Sequence, residues 1–171
     1  SAASDVYKRQ ATDNTEKTEA TGEKSTAIGY NAKAKTANDL AVGRGATSSG
    51  GSSTALGYDA TSSGEGSVAI GAGTDALGAM PAKQVKATAK NAIAIGRATQ
   101  ATSQDATAIG TDATASNTDA IAIGRKSNAS GSTSIGFGYN TQSTATNTVA
   151  IGTDVSATAE SAIALGRKTM A

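Results

Sequence analysis

Apolar and polar residues alternate along this chain in short bursts, and the bursts recur. Residues 91–96 read Asn-Ala-Ile-Ala-Ile-Gly, and variants of this stretch end at Gly29, Gly43, Gly57, Gly71, Gly96, Gly110, Gly124, Gly138, Gly152 and Gly166. Every interval between these glycines is 14 residues, except that from Gly71 to Gly96, which is 25. One copy is disguised: Ser134-Ile135-Gly136-Phe137-Gly138 stands in for the usual run, and the 14-residue frame selects Gly138 rather than Gly136 as its closing glycine. Half a copy precedes the first, because Ala20 and Gly22 fall in phase with Ala129 and Gly131. An internal period this regular outweighs any local propensity.

Within a copy the pattern predicts two short strands. The residue before each glycine is large and apolar throughout, from Ile28 to Leu165. The residue three before is Val, Ile or Leu, with Thr26, Thr54 and Thr107 as β-branched substitutes. Between them sits Ala, replaced once by Gly136. Strict alternation of β-branched and small residues is a strand signal. A second alternating stretch lies three to five residues after the glycine and is mostly Ala, Ser or Thr, as in Ala113 and Ala115 or Ser127 and Ala129. A tight turn such as Gly124-Arg125-Lys126 joins the two, with glycine available for positive φ. The return connection is rich in Ser, Asn, Asp and Gly, which is loop chemistry. No helical stripe at i, i+3, i+4, i+7 persists.

Two strands and two turns per 14 residues make one coil of an all-β parallel solenoid. At about 4.8 Å per rung, ten coils give a rod roughly 50 Å long. The frame divides the chain into an N-terminal segment, 1–19, poorly ordered or forming a partial coil, and a repeat region, 20–171, interrupted at about 72–90. The interruption holds Met80, the single proline Pro81, and Lys83, Lys86 and Lys90. Proline cannot donate to a ladder, so this segment is predicted to leave the solenoid as a basic loop.

Composition then limits the chemistry. Aromatic residues make up 3% and the 37% apolar content is inflated by alanine, so a large conventional core is not expected. The formal net charge is +1, which gives no electrostatic reason to bind nucleic acid. The chain contains no His and no Cys, so disulfides, the common zinc sites and Ser-His or Cys-His nucleophiles are all excluded. Acidic residues such as Asp105, Asp112, Asp119 and Asp154 are spread along the rod rather than paired. The reading is therefore of a non-enzyme with no catalytic, metal or cofactor site. Stacking places Asp112 beside Arg125 or Lys126, and Asp154 beside Arg167 or Lys168, as exposed ion pairs worth about 0–1 kcal/mol each. The turn position after each glycine carries Tyr30, Arg44, Tyr58, Arg97, Arg125, Tyr139 and Arg167. Tyr and Arg are the residue types enriched at binding hot spots, so these are candidate partner contacts, with Lys83, Lys86 and Lys90 as a second patch.

The first strand poses a further question, because both its faces are apolar. A strand apolar on both faces is covered on both. One face closes the roll and the other needs a second chain. The arrangement favoured here puts Ile and Val inside, with Ala122 and its equivalents at the subunit contact. The opposite assignment stays open, as does the number of subunits.

Ser67-Val68-Ala69-Ile70-Gly71 and Thr148-Val149-Ala150-Ile151-Gly152, in a 14-residue frame, resemble the head repeat of YadA-like trimeric autotransporter adhesins. The resemblance runs from Ala20 to Ala171. It implies a left-handed parallel β-roll assembled as a homotrimer, held on the Gram-negative cell surface by a stalk and outer-membrane anchor that lie outside this sequence. It also implies attachment to host matrix proteins (collagen, fibronectin, laminin) or to a host cell-surface receptor. The competing reading is a passive spacer solenoid, with binding done elsewhere.

Overall fold

The computed structural model describes residues 17–73 and 83–171. It is an all-strand parallel solenoid of about ten turns, built as two ten-stranded sheets. Sheet I collects the strands that run up to or through each closing glycine, from Thr26–Ile28 to Ile163–Arg167. Sheet II collects the two-residue strands that follow, from Glu19–Ala20 to Ser156–Ala157. All pairing is parallel and in the 14-residue register, for example Ala94↔Ala108 in sheet I and Ala101↔Ala115 in sheet II, except across the interruption, where Val68 pairs with Ile93 and Thr61 with Lys86. Glu19–Ala20 pairs with Lys33–Ala34, so the leading half-copy is a real half-coil. The disguised copy is framed as expected, with Gly136 opposite Ala150 and Gly138 opposite Gly152.

The favoured orientation of sheet I is overturned. Ala27, Ala41, Ala94, Ala108, Ala122 and their equivalents are fully enclosed inside the roll, and the Ile, Val and Leu positions point outward. The reason is the width of the interior. Sheet II contributes inward residues of its own, such as Ala113 and Ala115, and among the described residues no fully buried side chain is larger than valine. Two facing layers of Cβ atoms fill the space, and an inward isoleucine would push the sheets apart.

The copy with the most unusual sequence shows how tight this is. A Cβ at Gly136 would meet the Ser127 hydroxyl at 2.8 Å and the Thr141 hydroxyl at 3.0 Å. Those two hydroxyls occupy the interior there, paired at 2.7 Å, and the Ser127 Oγ donates to the Gly136 carbonyl at 2.9 Å. In this one coil the interior position of sheet I gives up its methyl, and the two hydroxyls take the space. Elsewhere buried hydroxyls pair in the same way, Ser48 with Ser53 and Ser62 with Ser67, each at 2.6 Å. Among the described residues no buried side-chain polar atom is left without a partner.

The closing glycines are required by sterics. At Gly152 the backbone has φ of 135° and an added Cβ would lie 1.7 Å from the Gly166 carbonyl oxygen. Two further left-handed positions recur from coil to coil, with Gly73 the exception among the described residues. One is two residues after the glycine (Asn31, Asp112, Asn140) and the other is five residues before it (Asn38, Asn91, Asp119). Asn and Asp tolerate this conformation better than other non-glycine residues, which explains the composition of the turns.

One interior residue is a carboxylate. Asp39 lies where other coils place Ser25, Ser53 or Ser67, and it is buried. Its Oδ2 accepts from the Thr36 amide at 2.9 Å and from the Thr36 hydroxyl. Its Oδ1 accepts from the Gly51 and Ser53 amides, both at 3.1 Å, and from the Ser53 hydroxyl at 2.9 Å. Burial opposes ionisation, but the hydrogen bonds from Thr36 and Ser53 outweigh it and hold the carboxyl below its ordinary range. Asp39 thus ties its own turn to the next coil.

Candidate functional site

The interruption is smaller than the sequence suggested. The regular coil continues through Gly73, whose amide donates to the Tyr58 carbonyl as Gly45 donates to Tyr30. It resumes at Val85, buried at the position held by Ala60 one coil earlier. The extra chain is therefore 74–84. Met80 and Pro81 fall outside the described residues. Of the three lysines, only Lys83 belongs to the insertion. Lys86 lies in the sheet II strand Lys86–Ala87, and Lys90 stands in the following turn, where it pairs with Glu65 at 3.4 Å.

The Tyr and Arg positions form one column at the corner where sheet I turns into sheet II. Parallel stacking sets neighbouring members one rung apart, because the amide after each is tied to the previous rung, as Asp59 N to Arg44 O and Asn140 N to Arg125 O. The corner is divided into clusters. Arg44 lies over the rings of Tyr30 and Tyr58, at 5.8 and 5.5 Å from their centroids. Arg125 lies over Tyr139 at 4.5 Å. Arg97 and Arg167 are exposed members of the same column. The column therefore holds aromatic and cationic groups already arranged against each other, which the sequence shows only as types at a spacing.

The ion pairs expected along this corner form differently. Asp112 pairs with Lys83 at 3.6 Å, and Asp154 accepts from the Asn140 amide group at 2.8 Å. Arg125 and Lys126 do not join Asp112, and Arg167 and Lys168 do not join Asp154, among the described pairs. The reason at Arg125 is the Tyr139 ring, which takes the guanidinium. Lys83 reaches Asp112 from the foot of the insertion. Among the described residues no group of three or more acidic side chains converges on a metal site.

A second feature emerges with the inversion of sheet I. Its outer face is a band of large apolar side chains, exposed or half-buried along the rod, with Ile28, Leu56, Ile151 and Leu165 among the exposed ones and Phe137 at 51%. Sheet II presents Lys33, Thr47, Gln100, Thr114, Asn128 and Gln142 in the equivalent position. The sequence signal for the band was the two-sided apolarity of the first strand.

These features agree with a comparison against known families. A family model, YadA head domain repeat (2 copies), matches residues 20–46, 48–74, 87–112, 101–127 and 129–154. The matches leave 75–86 uncovered, where the insertion lies. No curated protein matches the chain. The chain belongs to the YadA head domain repeat family, whose members are adhesin-type surface proteins.

Proposed function

We propose that this chain is the non-catalytic, multivalent head of a bacterial surface adhesin, assembled as a homotrimer and attaching the cell to a host matrix protein or cell-surface receptor. The observation that carries the reading is the apolar outer face of sheet I. A band made mostly of Ile, Val and Leu on one side of a rod, with a polar sheet on the other, is the form of a face covered by a partner. Parallel coils repeat the same residue types at each rung, so a second and third copy of the same rod, in register, offer the matching surface. A trimer displays each weak contact three times, and avidity can exceed single-site affinity by about 10²–10⁴ where geometry allows simultaneous engagement.

In this arrangement sheet I is turned inward and sheet II outward. The corner column of Tyr30, Arg44, Tyr58, Arg97, Arg125, Tyr139 and Arg167 stands where sheet I turns into sheet II. These residues, with Lys83, Lys86 and Lys90, are the candidate contacts to the host molecule. Collagen, fibronectin and laminin are the matrix proteins to try first, on the strength of the resemblance.

Surface binding of the purified head to immobilised matrix proteins and to host cells is the test. Saturable binding to one of them, lost when the head is made monomeric, is the expected result. A trimeric head that binds none would leave a spacer role and end the adhesin reading.

A further inference from the structure

The two outward positions of sheet I are not used alike. One is the residue immediately before each closing glycine, and the other lies two residues earlier. Over the ten rungs of the sheet the earlier position accepts Thr26, Thr54 and Thr107, whereas the later one is always Ile, Val, Leu or Phe. Exposure runs the opposite way. At the later position Ile28, Leu56, Phe137, Ile151 and Leu165 are exposed, and Phe137, the single phenylalanine of the chain, reaches 51%. At the earlier one only Leu40 and Ile163 are exposed, Ile163 on the last rung, and the three threonines are half-buried.

A rod that stood alone in water would be built the other way round. Threonine is a good strand former and is at home in water, so it belongs at the wetter of two outward positions. An apolar side chain gains from burial, so it belongs at the drier one. Here the wetter line is the strictly apolar one, which means that something beyond the chain's own coils covers it. The line is unbroken along the rod, because residues of this position pair rung to rung even across the interruption, Ile70 with Ile95 as Ile95 with Ile109. It carries no charge, and a second copy of the chain supplies the same line with the same rise per rung. Three rods around one axis can each turn one line of side chains straight at that axis, and the other line then falls to the side.

We propose that the line running from Ile28 through Ile109 to Leu165 faces the axis shared by three copies, and that the line holding Thr26, Thr54 and Thr107 lies at the edge of the subunit contact. The competing packing sets the axis between the two lines, each against the other line of a neighbouring copy. That arrangement buries both positions equally and gives no reason for threonine to enter one and never the other. The inference deepens the homotrimer reading by orienting sheet I within it, and it rests on that reading for the number of copies.

The test uses the intact head, whose lack of cysteine gives a clean background. Ile109→Cys and Thr107→Cys change the two outward positions of one strand, Thr107–Ile109, and each is oxidised with copper phenanthroline and run on a non-reducing gel. Three cysteines at one axis can form one disulfide, which needs Cβ atoms about 3.5–4.5 Å apart. Ile109→Cys is therefore expected to place about two-thirds of the chains in a two-chain product and leave a free thiol on the rest, while Thr107→Cys stays uncrosslinked. Sedimentation of lysine variants reads the same difference without the strict geometry of a disulfide. Ile109→Lys is expected to raise the concentration for half-dissociation at least about a hundredfold, because its ammonium would be buried. Thr107→Lys should change it by less than about threefold, because a lysine at the edge reaches water. Cross-linking of Thr107→Cys as efficient as that of Ile109→Cys, or equal weakening by the two lysines, would overturn the proposal and leave the trimer standing. So would an Ile109→Lys head that stays assembled. A native head with the mass of one chain would remove the trimer reading and this inference with it.

Discussion

The two sheets of this rod are alike inside and opposite outside. Inward, sheet I offers Ala94, Ala108 and Ala122, and sheet II offers Ala101, Ala115 and Ala129, all fully enclosed. Outward, sheet I offers Ile93, Ile95 and Ile109, and sheet II offers Lys86, Gln100 and Thr114. The small inner residues bring two parallel ladders close enough to close a coil of 14 residues. They leave little apolar area for stability, since burial contributes only about 25 cal/mol per Å². The difference between the sheets shows where the missing area lies. It is on the outer face of sheet I, and a neighbouring copy can bury it.

This comparison can be broken from the inside first. Ala122→Leu in sheet I and Ala115→Leu in sheet II should be equally damaging, each costing about 3 kcal/mol, because both overfill the shared interior. Urea denaturation would read the two side by side, and a large asymmetry would show that the sheets do not share one packed layer. Asp39→Ala comes next, at about 2 kcal/mol, since it strips acceptors from the Thr36, Gly51 and Ser53 groups. The sign of its pH dependence follows from the lowered folded value. The carboxylate's contribution is complete above its unfolded value of about 3.9 and is lost as pH falls below that toward the folded value. The gap between thermal melts of the native head and of Asp39→Ala should therefore be constant above about pH 4 and narrow as pH falls below it.

Deleting 74–84 should cost less, within about 1 kcal/mol, because loop length changes closure entropy only slowly and Val85 would then follow Gly73 as Ala60 follows Asp59. Calorimetry on the deletion variant would check it. The smallest effect is expected on the polar outside. Thr114→Lys should shift stability by less than about 0.5 kcal/mol, which equilibrium denaturation can bound. A large loss there would mean that the outer face of sheet II is also covered.

Much of the coil was legible in the sequence because period is a property of spacing. The copy closing at Gly138 could be placed despite Gly136 and Phe137, and the half-coil at Ala20 was visible from phase alone. Which face of Asn-Ala-Ile-Ala-Ile-Gly turns inward was not legible, because Ala and Ile are both apolar and alternation gives no direction. The deciding quantity is the width of the interior, set jointly by two strands and two turns. A hint lay in the facing residues, since Ser53, Ser67, Ala113 and Ala115 are all small. The insertion's limits were blurred for a different reason: Lys86 and Lys90 look like part of a basic loop until Val85 is seen at the inward position. The corner residues were picked out by type and spacing, but the placing of Arg44 over the rings of Tyr30 and Tyr58 depends on rotamers that spacing does not encode.

The central claim is that the outer face of sheet I joins copies of the chain, and multi-angle light scattering tests it most directly. The account predicts a mass near three times the 16.6 kDa of the single chain, falling to that of one chain when Ile109 and Ile123 are both replaced by Lys. A native head that stays a folded monomer at micromolar concentration, with its apolar band open to water, would contradict it.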